Sequence, residues 1–279
     1  MRVCFTSDLH GDRTLYGQLA DLVRAERPEL LILGGDLLRD VNRDEPIVPQ
    51  AAARVADLME QVNEWRQALP DLTVACIVGN HEILPELHCL RRERDAGRIV
   101  LLEAGGSWNW GGYHWAGYGC SPPSPHWAKD FERLDHVDTP VPEFDGVEWD
   151  PDGEKFRQVF AEQYFRGKAP IIERLRAVPA LLAPWILVAH APPHETALDR
   201  LPNVPHPIGS KAVREFILER QPILSLHGHV HESPIVSGSF RDKLGSTVCV
   251  NPGQGHEQLH AVLFDLARPT DTLRHTVLS

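Results

Sequence analysis

Aspartate, histidine and asparagine residues occur in five short clusters along the chain, and each cluster directly follows an apolar run. Their oxygens and imidazole nitrogens together suit Mn, Fe or Zn better than Mg or Ca. Seven of these residues could meet around one point, which exceeds one tetrahedral site and fits two metal ions that share a bridging carboxylate: Asp8, His10, Asp36, Asn80, His190, His229 and His231. The sequence therefore predicts a two-metal site. The clusters are Asp8-Leu9-His10, Gly35-Asp36, Gly79-Asn80-His81-Glu82, His190 and Gly228-His229-Val230-His231.

The apolar runs before the first three clusters predict β-strands at residues 3–6, 30–33 and 72–78. Apolar residues at helical spacing lie between these runs, from Leu15 to Val23 and from Val55 to Trp65. This βαβαβ order predicts a largely parallel sheet that is covered by helices. Because the loops beyond the carboxyl ends of parallel strands form the ligand crevice of such sheets, the clusters are expected to meet at one rim.

The second half of the chain is less regular. Alternating aromatic and small residues from Trp108 to Tyr118 predict a hairpin. Residues 121–153 are rich in proline and acidic residues, and their lack of periodicity predicts an irregular excursion outside the core. Helical spacing follows from Glu154 to Arg176, with a break expected at Pro170. The remaining predictions are strands at 99–102, 185–189 and 223–226, a helix at 212–218 with Ser210 as its N-cap, and final antiparallel strands at 247–250, 261–266 and 273–277.

The composition is that of an ordinary globular protein and excludes the disordered and membrane classes. The chain has 279 residues, of which 42% are hydrophobic and 24% are charged. Its 28 Lys and Arg and 39 Asp and Glu give a net charge of −11, which disfavours nucleic-acid binding by broad phosphate neutralisation. Nine of these net charges lie between Asp130 and Glu154, where ten acidic residues accompany one base, Arg133.

The cysteines and the first residues indicate where the protein works. The five cysteines are odd in number and contain no Cys-x-x-Cys pair. Cys4, Cys76 and Cys249 lie in strand-like apolar runs, where a free cysteine behaves as a small hydrophobe. The first apolar run is too short for a signal peptide, and no run of ~18 apolar residues follows. We therefore expect a cytoplasmic protein with reduced thiols and no membrane partner.

The five clusters, in this order, resemble the motif set of the calcineurin-like metallophosphoesterases: Asp-x-His, Gly-Asp, Gly-Asn-His-Asp/Glu, a lone His and Gly-His-x-His. Asn251-Pro252-Gly253 also resembles a turn near the end of many bacterial phosphoesterases and phosphodiesterases of this family. The resemblance covers most of the chain but not residues 121–180. It implies an α/β fold, a four-layer α/β/β/α sandwich of two mixed β-sheets flanked by helices, with the dimetal site at the sheet rim. We expect one domain over residues 1–279, with an acidic, proline-rich insertion at about 121–153.

The resemblance also implies a role for each motif residue. His81 would protonate the leaving oxygen or stabilise the transition state, and Glu82 would orient His81. Asp36 would bridge the two metals. Asn80 and His194 are candidates for contact with the substrate phosphate, although a loop histidine without a role is an equal alternative for His194. No role is assigned to the other histidines, His126 among them. The first metal would be held by Asp8, His10 and His231, and the second by Asn80, His190 and His229.

These observations predict a dinuclear-metal-dependent phosphoesterase that hydrolyses a small phosphate ester, with a phosphodiester favoured. A hydroxide bridging two Mn, Fe or Zn ions would attack phosphorus while His81 assists the leaving group. The alternatives within the family are a phosphomonoesterase and a nuclease, and the lack of a basic patch disfavours the nuclease. A non-catalytic scaffold would be expected to have lost ligands or His81, yet all are present.

The acidic segment 121–153 allows two interpretations. Loops on such scaffolds commonly set substrate choice, so it is expected to be a lid or side wall that repels polyanions and favours a small substrate. The alternative is a solvated surface loop. Assembly of the chain into a homo-oligomer is left open by the sequence.

Overall fold

Two six-stranded sheets lie at the centre of the structure, a computed structural model that describes residues 1–181, 184–255 and 257–278. In the first sheet the order is β14-β13-β1-β2-β3-β4; β1 to β4 run parallel, and β13 runs antiparallel to both of its neighbours. Its strands are β1 (Arg2–Thr6), β2 (Leu30–Leu33), β3 (Thr73–Cys76), β4 (Val100–Leu101), β13 (Val262–Asp265) and β14 (Arg274–His275).

The second sheet has the order β11-β12-β10-β9-β6-β5. The four central strands are parallel, and the two edge strands pair antiparallel with their neighbours. Its strands are β5 (Trp108–Trp110), β6 (Tyr113–Tyr118), β9 (Trp185–Ala189), β10 (Leu224–Leu226), β11 (Arg241–Leu244) and β12 (Thr247–Val250). The hairpin predicted over residues 108–118 is confirmed as β5 and β6.

Helices cover the outer face of each sheet. The helices are α1 (Arg13–Glu26), α2 (Ile47–Ala68), α3 (Leu84–Asp95), α4 (Ala161–Arg166), α5 (Ile171–Arg176), α6 (Lys211–Arg220) and α7 (Ser233–Ser237). Of these, α1, α2 and α3 pack on the first sheet, and α5 and α6 pack on the second. The predicted N-cap of α6 is confirmed, because the side chain of Ser210 accepts a hydrogen bond from Val213 N at 3.0 Å.

The alternation of side chains along each strand explains the layers. In β1, Val3 and Phe5 pack between the two sheets, whereas Cys4 packs in the cluster formed with α1, α2 and α3. In β9, Ile186 faces the first sheet and Leu187 packs in the cluster formed with α5 and α6. The predicted α/β sandwich of two mixed sheets flanked by helices is therefore confirmed.

One secondary-structure prediction was wrong, and another was met only in part. The helix expected from Glu154 begins only at Ala161; residues before it form a hairpin of β7 (Gly146–Asp150) and β8 (Lys155–Val159). Pro151, Asp152 and Gly153 favour a turn and return the chain, so Trp149 pairs with Phe156. The expected break at Pro170 is present between α4 and α5. Strand β12, expected to be antiparallel, pairs antiparallel with β11 on one side and parallel with β10 on the other.

Segment 121–153 also contributes to the interior, contrary to expectation. Trp149 is buried in a small apolar cluster with Ile47 and Ile83 of the body. Lys129 and Glu132 are fully buried as an ion pair with Nζ and Oε2 2.9 Å apart. Among the residues that the structure describes, no helix combines the length and apolar character needed to cross a bilayer.

Candidate metal centre

The predicted ligands all lie just beyond strand ends at one rim shared by the two sheets. Four of them have a positive φ although none is glycine: Asp8 (60°), His10 (47°), Asp36 (52°) and His229 (67°). Such backbone conformations cost about 1–3 kcal/mol each and persist where the surrounding structure enforces them, often at functional sites. The local fold therefore holds these side chains in conformations that their own preferences disfavour.

Asp8, His10 and His231 form the first group of potential ligands. One ligand atom from each lies within 4.8 Å of the other two. The Nε2 atom of His231 is 3.3 Å from Asp8 Oδ1 and 3.3 Å from His10 Nε2. Two imidazole nitrogens directed at each other and at a carboxylate are the donor set of a borderline divalent ion.

Asp36, His190 and His229 form the second group, again with ligand atoms within 4.8 Å. Asn80 extends it, since Asn80 Oδ1 lies 3.2 Å from His190 Nε2, which also lies 3.3 Å from Asp36 Oδ2. The Nδ1 atom of His190 is 2.9 Å from the carbonyl of Gly34. Donation by Nδ1 to that carbonyl leaves Nε2 directed into the group.

The charges at this rim fit bound cations. Asp8 and Asp36 are each 1% exposed, and within the described residues their ion-pair partners are histidines and no lysine or arginine. Burial alone would raise the pKa of Asp8, but His231 outweighs it and lowers that pKa to about 2. Burial would likewise lower the pKa of His190, yet Asp36 and Asp8 raise it to about 10. The position thus strongly favours positive charge, which metal ions would supply.

His81 lies beside both groups. Its ring centroid is 4.7 Å from that of His10, and its backbone N–H donates to Asp36 Oδ1 at 2.8 Å. Its Nδ1 is 3.3 Å from Oδ1 of Asp40, a residue to which the sequence analysis assigned no role. Burial opposes protonation of His81, but Asp40 and Asp36 outweigh it and raise its pKa. The only sequence signal for Asp40 is a second acid four residues after Asp36.

Glu82 does not orient His81, so that expectation was wrong. Its carboxylate instead accepts hydrogen bonds from four backbone N–H groups: Asp36 (3.0 Å), Leu37 (2.7 Å), Leu38 (3.1 Å) and Gly79 (2.6 Å). Gly79 is required for this close approach, because a Cβ at that position would overlap the carboxylate of Asp36. Glu82 therefore joins the loop after β2 to the loop after β3.

The turn at Asn251 supports the histidine loop of the second sheet. Asn251 Nδ2 donates to the carbonyls of Leu198 (3.1 Å), Gly228 (3.2 Å) and Val230 (3.1 Å). These bonds hold the backbone on both sides of His229. His227, to which no ligand role was assigned, packs Nδ1 against the carbonyls of Ala189 and Ala191 at 2.9 and 3.0 Å.

Segment 121–153 reaches the rim through His126. The ring centroids of His126 and His81 are 3.8 Å apart, and a ring nitrogen of each lies within 4.8 Å of an Asp40 oxygen. The buried ammonium of Lys129 donates to the carbonyls of Ser124 (2.7 Å) and His126 (2.5 Å) and so fixes this turn. Sequence analysis missed His126 because 45 residues separate it from His81.

The same segment is attached to the body at the start of α6. The carboxylate of Asp135 accepts hydrogen bonds from Lys211 N (3.0 Å), Ala212 N (3.2 Å) and the Ser210 hydroxyl. An aspartate thus neutralises the N-terminal dipole of the helix from a distant part of the chain. This anchorage contradicts the interpretation of the segment as a merely solvated loop.

His194 lies on the loop after β9 and belongs to none of the four groups of side chains in the described residues that could hold a metal ion. Its backbone N–H donates to Ser210 O at 3.0 Å, and its carbonyl accepts from Arg214 Nη1 at 2.9 Å. The structure does not bring its side chain together with the seven predicted ligands. Its contact with substrate stays a prediction.

Comparison with known proteins relates the chain to one family. A family model described as calcineurin-like phosphoesterase matches residues 1–233. The solved structure of TT1561 from Thermus thermophilus is 17% identical, with 98% of this chain and 97% of that chain covered and a TM-score of 0.57. Another solved structure is 18% identical, with 100% and 99% covered and a TM-score of 0.61. At these identities the likeness shows a common fold. No curated protein matches the chain in sequence.

Proposed function

Because the chain belongs to the calcineurin-like phosphoesterases, which are metal-dependent phosphoester hydrolases, we propose that it hydrolyses a small phosphodiester at the rim described above. The observation that carries the proposal is the position of Asp36. It shares one group with His190 and His229 and another with His10 and His81. A carboxylate between two groups of imidazoles is what a bridging ligand requires.

The proposal assigns one metal ion to Asp8, His10 and His231, and a second to Asn80, His190 and His229, with Asp36 shared. When bound, two such ions, of Mn, Fe or Zn, supply Lewis-acid charge for the phosphoryl oxygens and an activated water as nucleophile. The chain itself fixes the ligands before binding, through Glu82 on the loop of Asp36 and Asn251 on the loop of His229.

His81 is proposed as the proton donor to the leaving oxygen. With Nδ1 held by Asp40, its Nε2–H is available to the substrate, and the raised pKa keeps the imidazole protonated to higher pH. The contact with Asp40 favours this role over a ligand role for His81. Asn80 and His194 are proposed to contact the phosphate.

A small substrate is favoured by the segment that closes one side of the rim. His126 lies against His81, and residues 130–154 carry nine of the eleven net negative charges of the chain. A polyanion near this segment would meet like charge. We therefore propose that the segment is a side wall that disfavours nucleic acid, which argues against the nuclease alternative.

The organisation and location proposed from the sequence have further support. Strand β1, at the start of the chain, pairs with β13, which lies close to its end, as expected for a single domain over residues 1–279 with 121–153 as an insertion. All five cysteines are free, and a reduced set of thiols is typical of a cytoplasmic protein.

The test is turnover of bis(p-nitrophenyl) phosphate and p-nitrophenyl phosphate with Mn²⁺, Fe²⁺ or Zn²⁺ added and with chelator. We expect metal-dependent hydrolysis with the diester preferred, and its loss in Asp36→Asn. Preference for the monoester would favour the phosphatase alternative. A lack of hydrolysis with every metal would overturn the proposal in favour of a non-catalytic scaffold.

A further inference from the structure

A third group of metal-ligating side chains lies at the mouth of the rim and includes none of the seven ligands assigned above. It consists of Asp40, His81 and His126, and one ligand atom from each lies within 4.8 Å of the other two. We propose that this group is an inhibitory site for Zn²⁺ or a similar borderline ion. The inhibition, although not the binding, rests on the proposed function, since it acts by taking His81 out of catalysis.

The donor set determines the class of ion. Two imidazole nitrogens and one carboxylate oxygen, with a fourth position left for water, match the preference of Zn²⁺ for nitrogen-rich, four-coordinate sites. Mg²⁺ and Ca²⁺ require several oxygen ligands, and this group offers a single carboxylate. The site is therefore expected to distinguish Zn²⁺ from Mg²⁺ and Ca²⁺.

A second observation points to a ligand at this position. The Nε2 atom of His126 is buried and has no hydrogen-bond partner among residues 1–181, 184–255 and 257–278. Buried polar atoms are nearly always paired, and an unpaired one in a native protein calls for an explanation such as a bound ion. The cost of leaving such an atom unpaired is about 1–3 kcal/mol, and an ion coordinated through Nε2 would relieve it.

The turn that carries His126 is held in place before any ion binds. The Lys129 ammonium donates to the carbonyls of Ser124 and His126, and its charge is matched by Glu132 Oε2 at 2.9 Å. The backbone N–H of His126 donates to the Ser124 hydroxyl at 3.2 Å. The imidazole of His126 is thus preorganised against that of His81, so ion binding needs little ordering of the chain.

Binding at this group would act directly on the proposed proton donor. The nitrogen of His81 that faces Asp40 is Nδ1, 3.3 Å from Oδ1. An ion coordinated by His81 Nδ1 displaces the proton of that nitrogen to solvent. The same ion would also be bound by Asp40 and His126, which holds the imidazole of His81 in place. His81 can then no longer pass a proton from an imidazolium to the leaving oxygen, and hydrolysis slows while the two catalytic ions stay bound.

The test compares Zn²⁺ binding and Zn²⁺ inhibition in the wild type and His126→Phe. Phenylalanine keeps an aromatic ring against His81 but removes both nitrogens, so Mn²⁺-dependent activity should be retained. Equilibrium dialysis followed by atomic emission should show one Zn²⁺ fewer per chain in the variant. The Zn²⁺ concentration for half-inhibition should rise roughly tenfold or more. His206→Phe, at an exposed histidine outside all four groups, is the matched control.

A second variant keeps the inference testable if His126→Phe does not fold. Asp40→Asn removes the carboxylate of the same group and should also reduce the Zn²⁺ count by one. Equal Zn²⁺ counts in the wild type and the folded variants would overturn the third site and leave the proposed function intact. Absence of hydrolysis with Mn²⁺, Fe²⁺ and Zn²⁺ alike would instead overturn the proposed function, while a difference in Zn²⁺ count would still support the site.

Discussion

Glu82 holds Asp36 through its backbone: a carboxylate oxygen of Glu82 accepts the Asp36 N–H at 3.0 Å. Three further N–H groups donate to the same carboxylate, which is fully buried. Glu82, although it is next to the proposed proton donor His81 in sequence, therefore positions the proposed bridging ligand Asp36. It determines where the Asp36 carboxylate lies relative to both groups of imidazoles.

Replacement of Glu82 by Gln is expected to weaken metal binding and stability together. An amide has one acceptor oxygen, and its NH₂ would face N–H donors, so buried donors would lose their partners. We expect a loss of roughly 1–3 kcal/mol in the free energy of unfolding, measured by urea denaturation, and a lower affinity for Mn²⁺ measured by calorimetry. Glu64→Gln, at an exposed position, is the control. Unchanged Mn²⁺ affinity would contradict the role given to Glu82.

His81→Ala and Asp36→Ala should separate catalysis from metal binding. Loss of a positioned acid typically lowers the rate ~10²–10⁴-fold, so His81→Ala should lose activity at this scale and keep its catalytic metals. Asp36→Ala should lose the bridging carboxylate and bind fewer than two metal ions. Atomic emission on chains loaded with Mn²⁺ measures the metal content of both variants, and turnover of bis(p-nitrophenyl) phosphate measures the activity of His81→Ala. Loss of both metals in His81→Ala, or full metal content in Asp36→Ala, would refute these assignments.

Asp40→Asn should shift the pH dependence of kcat. The Asp40 carboxylate raises the pKa of His81, so removing its charge lowers that pKa. A general acid must be protonated, and activity falls as the pH rises through its pKa. The alkaline limb of the kcat profile should therefore move to lower pH in the variant. An unmoved limb at equal metal content would show that His81 is not the group that titrates there.

Asp130 should make the protein less stable as the pH rises from about 4 to about 6. One carboxylate oxygen accepts Trp149 N–H at 3.0 Å, while the other is buried without a partner among the described residues. Burial raises the pKa of Asp130 to about 6. The folded protein therefore keeps a proton that the unfolded chain has released, and stability decreases through that window by up to roughly 3 kcal/mol.

Urea denaturation at pH 4 and pH 7 tests this in Asp130→Asn. Asparagine cannot ionise, so the variant should gain stability relative to the wild type between these pH values. The comparison of two pH values cancels any effect of the substitution that does not depend on pH. Asp138→Asn, at an exposed position, should show no such change. An equal change in the free energy of unfolding between pH 4 and pH 7 in the wild type and in Asp130→Asn would contradict the raised pKa.

The motifs that carry the candidate ligands and the helix-covered sheet could be predicted because the information for them is local. Each motif directly follows an apolar run, and a buried strand that ends in polar residues places them at the sheet rim. The alternation of strands and helices could also be predicted, because it is visible in the spacing of apolar residues within short windows of sequence. Residues 155–159 were misassigned because apolar spacing over a short segment does not distinguish a helix from a strand, and the Pro151-Asp152-Gly153 turn decided between them.

Contacts between distant segments were decided only by the tertiary structure. Local pattern by itself indicated the seven candidate ligands and a helix-covered sheet, and the resemblance of the motifs to a known family implied the role of His81 and the two-sheet sandwich. They did not determine that Glu82 caps the Asp36 loop, that Asp40 faces His81, or that His126 lies against His81. These pairings depend on how loops from separate strands pack at one rim and on buried groups such as Lys129, whose hydrogen bonds form only once the chain has folded.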